Sequence, residues 1–450
     1  VEVINPSSTN LQEQFNLLIA GGELPDAMYS SKTYWTGGYD KAIDDEYLID
    51  LKDYINQYAP DMLKYINIDE DLRKSCLTDE GRMPTFPMVQ HQTNVGPTVG
   101  LAAREDWMIE LGIDTPVTYD DMHDMVAQFK DAYGAQLLIN YTGISTRGTF
   151  LQGYNLTGDF RFDEEGNIVY SPILDNMKKY VQMMHDWYAE GLIDPDFTSN
   201  PSVEESFWKE ETGVADNMFC VYLGKVGTST GYVEFDEDFN IVALPEPKET
   251  EDTVLHCGVK SGYTSEYAYR SGFQVTTAAE DPVIITKWFN YCFTDDGILL
   301  TNYGFEGETF EYVDGKPIWT DLIAHNPDGL DLMTCQQKYL WHFPPFSEFD
   351  KELDTYEWDA QKEAAGIWMG ETDLAWVPPP NYSLTTEEGN RYSALYNDIQ
   401  TYTTESIAKF ITGDLDIESG WDAYVEQIKA MNIDEVCEIL KTACERYDAR

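Results

Sequence analysis

The segment 8–29 constrains the fold more than any other part of the sequence, because its pattern predicts one complete step from a helix to a strand. Its apolar residues recur with the period of one helix face: Leu11, Phe15 and Leu18. Gly21 and Gly22 can adopt the left-handed conformation that ends a helix, and Pro25 prevents its continuation. A short strand over 26–29 then leads into an aromatic loop. In an open α/β sheet, a loop beyond the carboxyl end of a strand borders the ligand crevice.

The rest of the chain alternates short apolar runs with helical patterns, which predicts α/β layers with mostly parallel sheets. Thr118, followed by an acid at Asp121, predicts the start of one helix. Ser171-Pro172 predicts the start of another helix, which Gly191 ends. A length of 450 residues favours two domains over a single core.

The charge of the chain excludes several classes of partner. With 81 acidic against 29 basic residues, the net charge is −52, which disfavours binding to nucleic acid or to an anionic membrane surface. No apolar run approaches the length of about 18 residues that a transmembrane helix needs. The acidic segments 163–167 and 236–240 lack the ligand spacing of a calcium-binding EF-hand loop, so we expect turns there.

The seven cysteines indicate free, buried thiols rather than a disulfide framework. Their number is odd and no CxxC pair occurs. Cys437 and Cys444 would lie about 10 Å apart along one helix face, too far for a bridge. None of the six histidines pairs with a cysteine at the spacing of zinc ligands, so we expect neither a metal nor a cofactor.

Several motifs recur in a familiar order along the chain: AGGELPD at 20–26, LAAREDW at 101–107, GFQV at 272–275, NYGFEGE at 302–308, and FITG at 410–413 with WDAYV at 421–425. Together they resemble the extracellular solute-binding proteins of family 1, which are the capture subunits of bacterial ABC importers. The motif at 302–308 and the C-terminal motifs are typical of the subgroup that includes the LipO-type lipoproteins. The resemblance covers nearly the whole chain.

The resemblance implies an α/β fold of the two-lobe, type II periplasmic-binding-protein kind, with a ligand cleft between the lobes and hinge crossings. Lobe one would comprise residues 1–102 plus 275–330, and lobe two residues 103–274 plus 331–450. The family begins with a signal peptide, a lipobox cysteine and a strand–helix unit. This sequence begins at what resembles the second strand, so we expect a fragment or trimmed chain that lacks that first unit.

The resemblance also implies a function. We expect a monomeric protein that is extracellular, lipid-anchored at full length, free of cofactor, and delivers a captured carbohydrate, preferably an oligosaccharide, to membrane permease subunits. A peptide-binding protein, or a glycan-binding or sensor protein without a transport role, is the alternative, since one fold serves all of these uses. A glycoside hydrolase is a remote alternative. No GxSxG, HExxH, P-loop or Rossmann motif occurs, so we expect no catalysis.

Sugar binding needs aromatic faces to stack on pyranose rings and planar polar groups to bond hydroxyls. Tyr34 and Trp35, with Lys32 beside them, occupy the aromatic loop after the strand at 26–29. Phe219 and Tyr222 follow an apolar segment that resembles a family strand directed at the cleft. Ordinary surface aromatics in the first case, and a buried strand in the second, are the alternatives.

The remaining candidates are Arg147, Arg270, Tyr303, Glu306 and Trp341. The two arginines could grip hydroxyls or a carboxylate, or could form exposed salt bridges. Tyr303 and Glu306 belong to the subgroup motif, and Trp341 follows in an aromatic and proline-rich region. Each of these three could line the cleft.

Overall fold

The computed structural model describes residues 10–22, 24–29, 34–35, 37–93, 96–138, 150–199, 203–227, 233–234, 236–257, 262–263, 266–330, 332–341, 344–370, 372–379 and 381–450. The strands are β1 (Ala27–Tyr29), β2 (Phe86–His91), β3 (Gly96–Pro97), β4 (Val99–Arg104), β5 (Phe160–Phe162), β6 (Ile168–Tyr170), β7 (Val214–Phe219), β8 (Ile241–Ala243), β9 (Gly262–Tyr263), β10 (Tyr267–Val275), β11 (Phe310–Val313), β12 (Lys316–Trp319) and β13 (Phe346–Glu348).

The helices of the first half are α1 (Leu11–Gly21), α2 (Gly38–Asp44), α3 (Lys52–Tyr58), α4 (Pro60–Ile66), α5 (Glu70–Ser75), α6 (Glu105–Leu111), α7 (Tyr119–Tyr133), α8 (Asp175–Ala189) and α9 (Val203–Trp208). Those of the second half are α10 (Pro282–Tyr291), α11 (Asp295–Tyr303), α12 (Asp321–Ala324), α13 (Leu332–Tyr339), α14 (Asp350–Leu353), α15 (Asp359–Met369), α16 (Thr386–Thr412), α17 (Ile417–Ala430) and α18 (Ile433–Asp448).

Local sequence signals set the ends of several helices as expected. Gly22 ends α1 in the left-handed conformation, with φ of 69°. Thr118 and Asp121 form a reciprocal capping box at the start of α7. The segment 163–167 is the turn of the β5–β6 hairpin, held by backbone bonds between Asp163 and Asn167. These predictions are confirmed.

Two separate sheets form the centres of the two lobes. The first has the strand order β1-β10-β2-β13, and the second has the order β7-β4-β8. Within these two sheets only β13 pairs in parallel, with β2, and the other pairs are antiparallel. The expectation of mostly parallel sheets is therefore wrong for the described ladders. The reason is that the chain returns to the first lobe through a crossing, so β10 enters the sheet running against β2.

Each lobe has its own hydrophobic core. In the second lobe a large cluster joins α7, α8 and the C-terminal helices, with Met122, Phe129, Val181, Phe410 and Tyr424 at most 1% exposed. In the first lobe, separate clusters lie on the sheet and under β11 and β12. The cysteines carry free thiols, all buried except the half-buried Cys437, which confirms the expectation.

The chain passes between the lobes three times, and the described residues of these connections are 92–93 and 96–98 between β2 and β4, 262–263 and 266 before β10, and 349–358 between β13 and α15. The first two contact each other through the antiparallel pair of β3 with β9. The predicted lobe boundaries differ from this arrangement, because β10 and β13 both pair with β2. We therefore propose 10–91 with 267–348 as lobe one, and 99–257 with 359–450 as lobe two.

Candidate ligand-binding cleft

A cavity of about 490 Å³ lies between the two lobes. Lobe one contributes α2, the segment 75–80 that follows α5, the start of β2 and Tyr269 of β10. Lobe two contributes the segment 381–386, Arg446 and Arg450. A concave site between two domains is a common place for a small ligand, because residues from both sides can surround it.

Hydroxyl and amide groups form much of the lining. Thr85 Oγ1 lies 3.5 Å from the phenol oxygen of Tyr269, and Asn381 donates to Ser75 Oγ at 3.1 Å. Burial raises the pKa of Tyr269 well above its usual value, so the phenol stays a neutral hydroxyl at physiological pH. The wall can therefore both donate and accept hydrogen bonds without adding charge.

Several charged side chains of the lining pair with residues just outside it. Arg82, which is not itself in the lining, bonds Asp44 at 2.8 Å and Glu80 at 2.6 Å, and it lies 3.8 Å from Asp40. Lys41 pairs with Asp45 one turn further along α2, at 2.6 Å. A ligand in this cavity meets charges that already have partners.

Two arginines of α18 and its C-terminal end connect the lobes beside the cavity. Arg450 Nη2 donates to Asp79 Oδ1 at 2.6 Å, and Arg446 Nε donates to Asp79 Oδ2 at 2.9 Å. Arg446 also donates to Glu388 Oε2, at 2.5 Å. We call these four residues the clasp: Asp79, Glu388, Arg446 and Arg450. Because Asp79 belongs to lobe one and the other three to lobe two, the clasp bridges the lobes.

The clasp is partly shielded from water. The side chain of Arg450 is 3% exposed and that of Asp79 is 15% exposed. Arg450 also donates to the carbonyl oxygens of Lys74 and Leu77, at 3.3 and 2.7 Å. Burial opposes ionisation of Asp79, but the hydrogen bonds from the two arginines outweigh it and lower the pKa of that carboxyl.

Phe219 and Tyr222 lie together where lobe two meets the first crossing. Phe219 ends β7 opposite Val99, and the next amide, of Cys220, donates to the carbonyl of Thr98. The Phe219 side chain is 48% exposed, and its ring centre lies 6.2 Å from that of Tyr222. An exposed aromatic face at this junction is what the sequence prediction requires, although ligand contact stays a prediction.

Tyr34 and Trp35 have a different environment. Trp35 is 8% exposed and packs edge-on against Phe15 of α1, with ring centres 4.8 Å apart. Tyr34 lies 5.6 Å from the same phenylalanine ring. The Trp35 indole therefore belongs to a small core cluster with Tyr47. Packing within this cluster covers the ring face on which a sugar would stack. Lys32, from the same prediction, lies outside the described residues.

Three of the other candidates, Tyr303, Glu306 and Trp341, are described and are not among the residues that line the cavity. Tyr303 packs against Phe310 and Trp319, and Glu306 is on an exposed turn beyond α11. Trp341 stacks on Trp288 with ring centres 5.4 Å apart. Arg147 lies outside the described residues. Arg270 is in β10, but its side chain is not among those described.

Sequence reasoning missed most of the cavity wall and all of the clasp. Arg446 lies in α18, but nothing in the neighbouring sequence indicates its partner, Asp79, 367 positions away.

Comparison with known proteins places this geometry in context. No protein-family model matches the chain. The fructooligosaccharide ABC transporter substrate-binding protein FusA of Streptococcus pneumoniae is 24% identical over 482 aligned residues, covering 98% of this chain and 84% of FusA. Lipoprotein LipO of Bacillus subtilis is 22% identical over 444, covering 93% and 81%.

Among solved structures, an HMO-binding, ABC-transporter-associated solute-binding protein of Bifidobacterium longum infantis superposes with a TM-score of 0.76 at 15% identity. The match covers 98% of this chain and 92% of that one. At this identity the likeness shows the fold.

The two lobes and the cavity between them share the two-lobe fold of that solute-binding protein. In sequence the chain is a homologue of ABC-transporter substrate-binding proteins, which confirms the resemblance to family 1. These relatives are binding proteins of transport systems rather than enzymes. None of the helices in the described part of the chain combines the length and the apolar character that spanning a lipid bilayer requires.

Proposed function

We propose that this chain is the solute-binding component of a bacterial ABC importer, which captures a neutral oligosaccharide between its lobes and delivers it to the permease subunits. The observation that carries the proposal is the cavity of about 490 Å³ between the lobes, whose wall includes hydroxyl and amide groups. The relationship to FusA, whose name specifies fructooligosaccharide, supports the same ligand class.

The charge pattern of the cavity supports a neutral ligand. Each charged side chain discussed above already bonds an opposite charge, as Asp79 does with Arg446 and Arg450. Burying a further ligand charge beside these pairs would require desolvation without a new partner. A sugar instead offers hydroxyls, which the hydroxyl and amide groups of Thr85, Tyr269 and Asn381 suit. This pattern disfavours a peptide, whose termini are charged.

We further propose that binding occurs without catalysis, that the protein acts as a monomer, and that it works outside the cell. Asp40, Asp44 and Asp79 of the cavity lie within 4 Å of guanidinium groups, which favours a structural role for these carboxylates. The lipoprotein relative supports an anchored, extracellular location.

A thermal-shift screen tests the proposal. The purified chain would be heated with neutral fructooligosaccharides, acidic uronic acid oligosaccharides, or short peptides. A ligand at 100 times its Kd should stabilise the folded state by about 2.7 kcal/mol. We expect a rise in melting temperature with a neutral oligosaccharide series. A rise with peptides alone would contradict the proposal.

A further inference from the structure

His91 lies at one end of the first connecting segment and contacts a residue at the lobe-one end of each of the other two. His91 is the last residue of β2, immediately before the first crossing. Its Nε2 lies 3.2 Å from Oε1 of Glu266, which immediately precedes β10. Its Nδ1 lies 2.6 Å from Oε2 of Glu348, which ends β13 immediately before the third crossing. These three residues form what we call the hinge triad.

The backbone holds the triad in register. His91 lies opposite Tyr267 in one ladder and opposite Glu348 in the other. The carbonyl of His91 accepts from the amide of Phe349 at 2.8 Å, and that of Glu266 accepts from the amide of Gln92 at 3.0 Å. The three connections thus lie side by side where they meet one edge of the lobe-one sheet.

The number of protons on His91 decides how many of these contacts it can make. A neutral imidazole has one N–H and can donate to one carboxylate, whereas an imidazolium donates from both nitrogens. With carboxylates on both sides, loss of the proton leaves one nitrogen lone pair facing a carboxylate oxygen. One of the two bridges is then lost.

The groups packed around His91 favour the charged form. The hydrogen bond to Glu348 is the main cause that raises the pKa of His91, and the bond to Glu266 adds to it, while burial opposes both. Tyr267 of β10 stacks on the imidazole with ring centres 4.6 Å apart. Tyr65 of α4 lies behind this tyrosine, at 6.2 Å between ring centres.

We propose that the hinge triad is a proton-dependent brace, in which the imidazolium of His91 ties the three connecting segments together and restrains the separation of the lobes. When the proton leaves, one bridge opens and the ligand-free lobes separate further. The brace concerns the ligand-free chain and does not rest on the identity of the ligand.

The sign of the pH effect follows from the raised pKa. The contribution of the brace is fully present below the unfolded-state pKa of histidine, about 6.5. It is lost as the pH rises through the higher pKa that His91 has in the folded protein. The lobes should therefore separate on the alkaline side of neutrality.

Small-angle X-ray scattering of the ligand-free full chain tests this directly, from about pH 5.5 to about pH 9, the range in which a histidine titrates. We expect the radius of gyration of the wild type to rise with pH. The His91→Asn variant should show the larger radius throughout. A constant wild-type radius, or a variant that follows the wild type, would overturn the proposal.

His123 provides the matched control. Its nitrogens also face two acids, Glu190 at 2.9 Å and Asp124 at 3.4 Å, but all three residues belong to lobe two. Hydrogen bonds to these acids raise its pKa against the opposing effect of burial. His123→Asn should keep the wild-type rise in radius. Loss of the rise in this variant would show a general charge effect and overturn the role of the triad.

A second variant keeps the test decisive if His91→Asn does not fold. Glu266 has a side chain that is 58% exposed, so Glu266→Gln should fold normally while removing one carboxylate from the triad. We expect the rise in radius to begin at a lower pH in this variant. An unchanged pH response would count against the brace.

Discussion

The hinge triad lies where the connecting segments meet lobe one, whereas the clasp bridges the two lobes directly, and the two respond to pH in opposite directions. At the hinge one cation lies between two carboxylates, and its raised pKa means that its contribution is lost as pH rises. In the clasp, arginine hydrogen bonds overcome burial and lower the pKa values of Asp79 and Glu388. That contribution is present above the unfolded-state values, near 4, and is lost as pH falls through the lower folded values.

The comparison shows where a very acidic chain places its few cations. Only 29 basic residues face 81 acidic ones, so most carboxylates cannot be paired. Arg446 and Arg450 are nevertheless both used at one contact between the lobes. Both contributions are fully present only in a mildly acidic window, above the unfolded-state carboxyl values near 4 and below that of histidine, about 6.5.

Among the charged contacts, breaking the clasp should have the largest effect. Asp79→Ala leaves Arg450, with a side chain 3% exposed, without its carboxylate. Removing one partner of a shielded pair is costly, because the other charge stays buried and uncompensated. We expect a loss of about 3 kcal/mol in the free energy of unfolding, measured by urea denaturation at neutral pH. A loss below about 0.5 kcal/mol would show that the clasp contributes no more to the free energy of unfolding than a surface ion pair does.

Phe219 tests whether the hinge side of the cleft contributes an aromatic face on which a sugar ring can stack. Phe219→Ala should weaken binding of an oligosaccharide found in the thermal-shift screen by about 1–3 kcal/mol, the scale of one stacked aromatic. Isothermal titration calorimetry would measure the change. Folding stability should change little, because the side chain is 48% exposed.

Trp35→Ala is the matched control for this substitution. Its indole is buried against Phe15, so the variant should lose about 3–5 kcal/mol of folding stability through the cavity it leaves. The opposite result would be a Trp35 variant that is stable but has lost affinity, together with a Phe219 variant that binds normally. It would show that the ligand stacks on the aromatic loop after β1 and not on Phe219.

Glu348→Gln tests how much each carboxylate of the hinge triad contributes to the raised pKa of His91. The variant removes the carboxylate that contributes most to the raised pKa of His91, so that pKa should fall. A histidine NMR titration would measure it. Glu266→Gln should lower the pKa less, because that contact is longer and its carboxylate more exposed. Equal shifts in the two variants would show that the bridges are equivalent.

The smallest change in the free energy of unfolding should come from an ion pair that lies within one lobe. Lys41 and Asp45 lie one turn apart on α2, and each side chain is 43% exposed. Asp45→Ala should change the free energy of unfolding by less than about 0.5 kcal/mol, measured as for Asp79→Ala. A loss equal to that of Asp79→Ala would mean that burial does not distinguish the clasp from the surface.

Features set by neighbouring residues were predictable from the sequence, and those set by distant packing were not. Gly22 and the Thr118 capping box end and begin helices through bonds within one turn. The partners of β10 and β13 are decided by tertiary pairing, so no local signal could indicate which lobe those strands join. Trp35 comes after β1 and Phe219 ends β7, and tertiary packing against α1 buries Trp35 while Phe219 stays exposed.

The cysteines described earlier give the protein built-in reporters of its own opening. Cys76, 3% exposed, lies in the cavity wall near the clasp, and Cys220, 7% exposed, follows Phe219 at the hinge side. Burial raises the pKa values of their thiols to about 12 and about 11, so little thiolate forms while the lobes are together. The rate at which an alkylating reagent modifies each thiol should therefore record, without any added label, which junction parts first.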